Sequence, residues 1–453
     1  MSLAILNSEY IFDMLERVSH IFIIAISLFL MTGLYSYAQN GEEVSFTPYS
    51  IYGIGDIYQQ GGAFNRGQGG VGVATRNKRF INYLNPAAVT ARDSLSFMAD
   101  YGLLNENRIM YQGDIRSANN TFGVSNLAIS FPVYKSSAVM LGVSPYSTTK
   151  YGYYMPVSDQ NIVALAGPTY ISSTGEGGMY KLFASAGVTF FEKLSVGVEA
   201  IHYFGDIEKN SKIVFTDQSY NGISSGYNLH LKGNTAKLGL QYETSVGKYF
   251  LGVGATYTFA TGMKGEVSDF SFSSNSSVDT VRFETDVLDN MSDKLRFGSE
   301  FSAGISLRSG EQWRAELDYS ISGWDKSGFD NQRGFSVKGS TVFSSTVSES
   351  IRAGFEITPN ANDIRYYFRR CTYRAGVYYN KAYYKLDGND VNSFGITLGG
   401  TLPVFRLYNG LTFAVDLGQR GSLKYANSVL ERYVNISIGV NIHDIWFQKY
   451  RYN

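Results

Sequence analysis

Cysteine is almost missing from this chain: Cys371 is the only one in 453 residues. An intrachain disulfide is therefore excluded, and so is a thiol-based metal centre. Histidine is nearly as scarce, and His202, His230 and His443 stand without ligand spacing. No metal and no cofactor are expected. The formal net charge is zero, which argues against nucleic acid as the main partner, because neutralising phosphates requires a basic excess. No apolar run after the amino end reaches the ~20 residues a membrane-spanning helix needs. Proline, at 8 residues, is sparse as well, while glycine (48), tyrosine (35) and phenylalanine (30) are abundant. That mixture suits strands packed through glycines and does not suit disorder.

The amino end is an export signal. Residues 21–30 form an apolar run preceded by Arg17 and followed by Ser36-Tyr37-Ala38, a small-x-small cleavage site. Residues 1–38 are read as a secretory signal peptide cut before Gln39. Met14 is an alternative start to Met1, and no cysteine beside the cleavage site offers a lipid attachment point.

Residues 39–93 follow a different pattern. Glycines cluster at Gly53, Gly55, Gly61, Gly62, Gly67, Gly69, Gly70 and Gly72, and Asn85-Pro86-Ala87-Ala88 comes after them. Alternation is weak, so this stretch is expected to be compact and irregular. The run from Gly67 to Gly72 lacks the buried strand, the long helix and the Lys-Ser/Thr pair of a phosphate-binding loop. Close backbone packing explains it better.

From residue 94 onward the pattern has period two. The stretch 295–320 is the clearest case. Leu295, Phe297, Phe301, Ala303, Ile305 and Leu307 alternate with Arg296, Gly298, Glu300, Ser302, Gly304, Ser306 and Arg308. A Ser309-Gly310 turn follows, and Trp313, Ala315, Leu317 and Tyr319 then alternate with Arg314, Glu316 and Asp318. One face of this hairpin is apolar and the other is charged. About fourteen such segments recur through residues 94–453. Their connections alternate between tight turns, near Ser136, Glu192, Gly247 and Gly310, and polar excursions over residues 156–179, 206–230 and 267–293. A soluble sandwich adhesin has no reason to alternate so regularly, whereas a membrane barrel does. Backbone groups in hydrocarbon must be paired, so such a sheet closes on itself. The expected fold is an all-β, antiparallel transmembrane barrel of about fourteen strands, with greasy side chains facing lipid. Trp313, Trp324 and Trp446 are candidates for its interfacial girdles. An even strand number puts both termini on the periplasmic side.

The inward set carries Arg296, Arg308, Arg314, Arg352 and Arg374 against Glu300, Glu316, Asp318, Glu356 and Asp416. Balanced signs suggest a cross-strand ionic wall that braces the barrel or seats a plug. A charge-selective constriction would gather one sign. Fourteen strands enclose more space than wall side chains fill, and residues 39–93 are the candidate filling. Enzymatic function is not expected: His202 with Asp206 and Glu199 is the one cluster with a titratable base, and it has no serine partner.

Taken together, the run from Gly67 to Ala74, the Asn85-Pro86-Ala87 motif and the strand count resemble the FadL-type outer-membrane transporters of long-chain fatty acids and other hydrophobic compounds. The stretch from Pro48 to Asp56 and the closing Trp446-Phe447 resemble Bacteroidota-type members. The resemblance implies an N-terminal hatch inside the barrel, with Gly69, Gly70, Asn85, Pro86 and Ala87 along the ligand path. It also implies lateral release near the third strand, where Pro132 and Pro145 interrupt strands two and three with Gly142 between them; prolines that simply end their strands are the alternative reading. The implied partners are outer-membrane lipid and a hydrophobic small molecule. Some barrels of this type act instead as accessory subunits of secretion or assembly machinery, which is the alternative expectation.

Overall fold

The computed structural model describes residues 47–445, apart from Ser94, Lys135, Ser158, Gln218, Asn221 and residues 275–281, 288–294, 332–340, 405–409 and 425–427. The signal peptide, the Lys135 turn position and Trp446 lie outside the described residues.

Fourteen antiparallel strands close into a barrel. They are β1 (Ser96–Gln112), β2 (Ile115–Tyr134), β3 (Ser137–Thr148), β4 (Thr169–Phe190), β5 (Leu194–Phe215), β6 (Gly222–Val246) and β7 (Tyr249–Thr258). The second half is β8 (Glu300–Ser309), β9 (Trp313–Gly323), β10 (Val347–Ile357), β11 (Thr372–Leu386), β12 (Asn389–Pro403), β13 (Gly410–Gly421) and β14 (Leu430–Ile445). Closure is the β1–β14 ladder, which runs from Ser96 opposite Ile445 to Tyr111 opposite Leu430. Ser96 and Ile445 thus share one end of the barrel, where the short turns also lie.

The two faces separate as period two demands. In the β8–β9 hairpin, Ile305 opposes Leu317 and Leu307 opposes Ala315 on the outer face, while Gly304 opposes Asp318 and Ser306 opposes Glu316 inside. Outer-face apolar residues form a continuous band: Val377, Ile396 and Leu417 lie side by side on β11, β12 and β13, all exposed. Such a band is stable only against lipid. Replacing Ile396 with arginine is expected to cost about 2–4 kcal/mol. Asn107→Arg, beyond the band, should cost under about 1 kcal/mol. Urea midpoints of the protein refolded into liposomes would check both values.

Three sequence expectations change. The excursion 206–230 is largely strand, because β5 and β6 stay paired from Phe204–Lys232 up to Ile213–Ile223, and 156–179 becomes strand from Thr169, which pairs with Phe215. Outside hydrocarbon a strand no longer needs a greasy face, so its polar composition disguised it. Likewise β1 and β2 continue to a two-residue Gly113-Asp114 turn. In the 295–320 stretch the strand begins only at Glu300. Leu295 and Phe297 are buried inside the lumen, while Phe301 points outward. The phase breaks at Gly298, where a Cβ would lie 2.3 Å from the Gly323 carbonyl. Finally, Trp324 is buried against Phe297 and Tyr383, in an aromatic core at the long-loop end of the lumen. Trp313 lies beside Tyr249 near the short turns, with ring centroids 5.7 Å apart.

Candidate lumenal site

Residues 47–93 run inside the barrel. Thr47 begins at the long-loop end, where its amide donates to the Lys150 carbonyl at 3.2 Å. A short strand, Asp56–Ile57, pairs with Thr148 and Ser147 of β3. The helical turn Ala63–Arg66 follows, capped by Asn65, whose Oδ1 accepts from the Gly62 amide at 3.1 Å. The chain descends to Asn85, which caps the turn Pro86–Thr90 by accepting from the Ala87 amide at 3.0 Å.

The segment is seated on glycines. A Cβ on Gly187, Gly197 or Gly239 would collide with residues 85–89, and one on Gly254 or Gly304 would meet Val73. On the opposite arc, Gly354 and Gly376 lie against Gln68 and Gly69, Gly399 against Gly67, and Gly439 against Ala63. Nine strands each contribute one such glycine. Several stand opposite one another in register: Gly187 with Gly197, Gly197 with Gly239, Gly254 with Gly304, and Gly354 with Gly376. Backbone thus packs directly on backbone. Gly69 and Gly70 add positive φ values of 76° and 80° at the tightest point of the turn, a conformation glycine adopts at no steric cost.

Charged wall residues hold the same segment. Asp318 Oδ2 accepts from the amides of Gly72 and Val73 at 2.7 and 2.9 Å. Glu316 accepts from Thr75 Oγ1 at 2.7 Å and Gln68 Nε2 at 3.2 Å. Arg314 donates to the Arg76 carbonyl at 2.9 Å, and Arg352 to the Gly70 carbonyl at 3.3 Å. Glu356 pairs with Arg374 at 2.7 Å. Arg314, Glu316, Arg352 and Glu356 therefore lie on the lumenal face of the wall. Arg296 does not: its side chain is exposed at the long-loop end, on the far side of the Gly298 break. Glu300 faces a cavity. Asn85 also donates to the Val73 carbonyl at 2.8 Å, which ties the two motifs of the segment together.

A second ionic knot, missed in the sequence, closes the upper end. Asp56 and Glu431 are bridged by Arg108 and Arg420, with Arg420–Asp56 at 2.5 Å and Arg420–Glu431 at 2.7 Å. Its members come from three distant stretches, so no spacing rule could assemble it.

The cavity, about 280 Å³, lies between the segment and the long-loop end. Tyr146, Tyr203, Phe297, Trp324 and Tyr383 line it together with Lys181, Lys237, Glu300, Asp318 and Arg352. It is amphipathic. Beside it the wall is incomplete. The β2–β3 ladder runs from Tyr134–Ser137 to Leu127–Val143 and stops. Above that point β3 follows the lumenal segment, with the Tyr58 amide on the Tyr146 carbonyl at 2.9 Å and Gln60 Nε2 on the Pro145 carbonyl at 3.2 Å. Pro145 lies at this seam, at a register shift against β4. Gly142 lies just below it, where the Phe183 ring fills the space a Cβ would need. Pro132 is farther down, opposite Ala138 near the short turn. Residues 56–60 stand between the cavity and the seam.

The one histidine cluster is not assembled. Glu199 is buried inside and bonded to Ser185, whereas His202 faces outward to Asn234 at 2.7 Å and Asp206 pairs with His230.

A closed fourteen-stranded barrel with a lipid-facing band and an N-terminal segment folded into its lumen defines a bacterial outer-membrane β-barrel protein. The BamG family model matches residues 20–453, and the chain belongs to the BamG family. A comparison with curated proteins gives no match. Among solved structures, the toluene transporter TbuX of Ralstonia pickettii aligns over 84% of this chain and 98% of its own, at 14% identity and TM-score 0.58. The toluene transporter TodX of Pseudomonas putida aligns over 88% and 100%, at 13% identity and TM-score 0.57. A FadL homologue of Pseudomonas aeruginosa aligns over 85% and 99%, at 9% identity and TM-score 0.57. At these identities the likeness is one of fold.

Proposed function

We propose that the barrel passes small hydrophobic or amphipathic molecules across the outer membrane, with residues 47–93 acting as its hatch and the β2–β3 seam as a lateral exit. The observation that carries the reading is the interrupted β2–β3 ladder beside an aromatic-lined cavity. An apolar solute gains about 0.8 kcal/mol per buried CH₂, so leaving through a wall gap into lipid avoids the watery lumen. Two relatives in fold are toluene transporters, which supports the substrate class. We place the short turns on the periplasmic side, as in other barrels of this kind. No catalytic role is assigned to any residue.

In this reading residues 56–60 must move for cargo to reach the seam. Cysteines at Ile57 and Ser147, directly opposed across the ladder, in a Cys371→Ser background, would lock that strand when oxidised. Expected is loss of labelled toluene or laurate uptake under oxidation and recovery on reduction. Undiminished uptake by the locked protein would rule out the lateral route.

A second reading, an accessory barrel of an envelope assembly or secretion complex, is favoured by how firmly the segment is seated. Nine glycine contacts and two buried carboxylates hold a piece that a transporter must displace. A deletion strain separates the two. Lost uptake with normal envelope assembly supports the transporter, and the reverse supports the accessory role.

A further inference from the structure

The seam leaves one ladder finished and one unfinished. On the β3 side the lumenal segment supplies the missing strand, with Ile57 opposite Ser147 and Asp56 opposite Thr148. On the other side, residues 115–121 of β2 keep a continuous ladder to β1 and pair with no described strand across their second edge. That run reads Ile-Arg-Ser-Ala-Asn-Asn-Thr, with a single charge, no proline and no register shift. Natural sheets blunt exposed edges with charged side chains, proline, a bulge or a covering element. Among the described residues this one carries only the Arg116 charge.

Its height rules out lipid as the cover. Beside it on the outer face, Asn107 donates to Asn105 Oδ1 at 2.7 Å and Asn120 donates to Asn107 Oδ1 at 2.5 Å. This amide cluster replaces the greasy band, so the edge stands in water beyond the hydrocarbon, where an unpaired backbone is tolerable. Seven residues of strand present alternating N–H and C=O groups over about 23 Å. A lipid tail can satisfy none of them, whereas another extended strand satisfies the row.

We propose that residues 115–121 are a strand-addition site, completed by an extended segment of a partner polypeptide on the long-loop side of the membrane. The partner is recognised through its backbone, so its sequence is constrained mainly by the need to stay extended beside Asn119 and Thr121. The site is independent of what the lumen carries and holds under either reading above.

The test uses the full chain in its own intact envelope, with p-benzoylphenylalanine placed singly at Arg116, Ala118 and Asn120. Expected are photo-crosslinks to one segment of one polypeptide, the attachment point advancing by two residues for each two-residue step along β2. The co-purified complex should also show at least tenfold slower amide exchange within residues 115–121 than the isolated chain. Attachment to lipid alone, to scattered proteins, to the strand Tyr151–Pro156 of the same chain, which pairs with β4, or to nothing would overturn the proposal. In-register crosslinks without slowed exchange would do so too, since side chains would then touch without backbone pairing.

Discussion

Valine at Gly197 and Gly376 together is expected to drive the lumenal segment off its seat. A Cβ at Gly197 would lie 2.3 Å from the Pro86 carbonyl carbon, and one at Gly376 2.2 Å from the Gly69 amide nitrogen. Both obstacles are backbone, so no rotamer change relieves them. Overpacking of this kind costs about 1–3 kcal/mol per site. The two sites press on opposite arcs of one segment, so their costs fall on the same equilibrium. Since ~1.4 kcal/mol is tenfold, the displaced population should rise by between one and four orders of magnitude. Cells carrying the double variant should become sensitive to large antibiotics such as vancomycin while still assembling the barrel. Gly123→Val is the control, because a Cβ there meets nothing within 4 Å; it should change nothing.

Asp318→Ala attacks the same seat through hydrogen bonding. The carboxylate is buried and accepts from two amides of the segment. Removing it orphans the Gly72 and Val73 N–H groups at about 1–3 kcal/mol each. Exchange of those two amides should accelerate by roughly two orders of magnitude, the equivalent of ~3 kcal/mol. Asp318→Asn keeps an acceptor oxygen and should recover most of the protection. Unchanged exchange in the alanine variant would mean that shape alone holds the segment.

How far these features could be read in advance depends on their range. The fourteen strands, the inward charges other than Arg296 and the lipid band follow from period two, which every pair of neighbouring residues reports. The upper halves of β5 and β6 did not, because in water neither face of a strand has to be apolar. Trp324 was misplaced for a related reason: composition says a tryptophan seeks an interface but does not say which one. The glycine seat was half visible. Gly187 and Gly197 stand equally far from the Glu192 turn, so the hairpin pairs them; that both meet Pro86 is a long-range fact. The knot of Asp56, Arg108, Arg420 and Glu431 depends entirely on barrel closure, which joins the two ends of the chain.

Everything about the lumen turns on whether residues 47–93 seal it. Planar-bilayer recordings of the mature protein beside a variant lacking residues 47–92, its barrel verified by heat-modifiable migration, measure this directly. The account predicts a silent full-length protein and steady ohmic steps from the variant. Equal conductance from both, or a variant that stays silent, would contradict it.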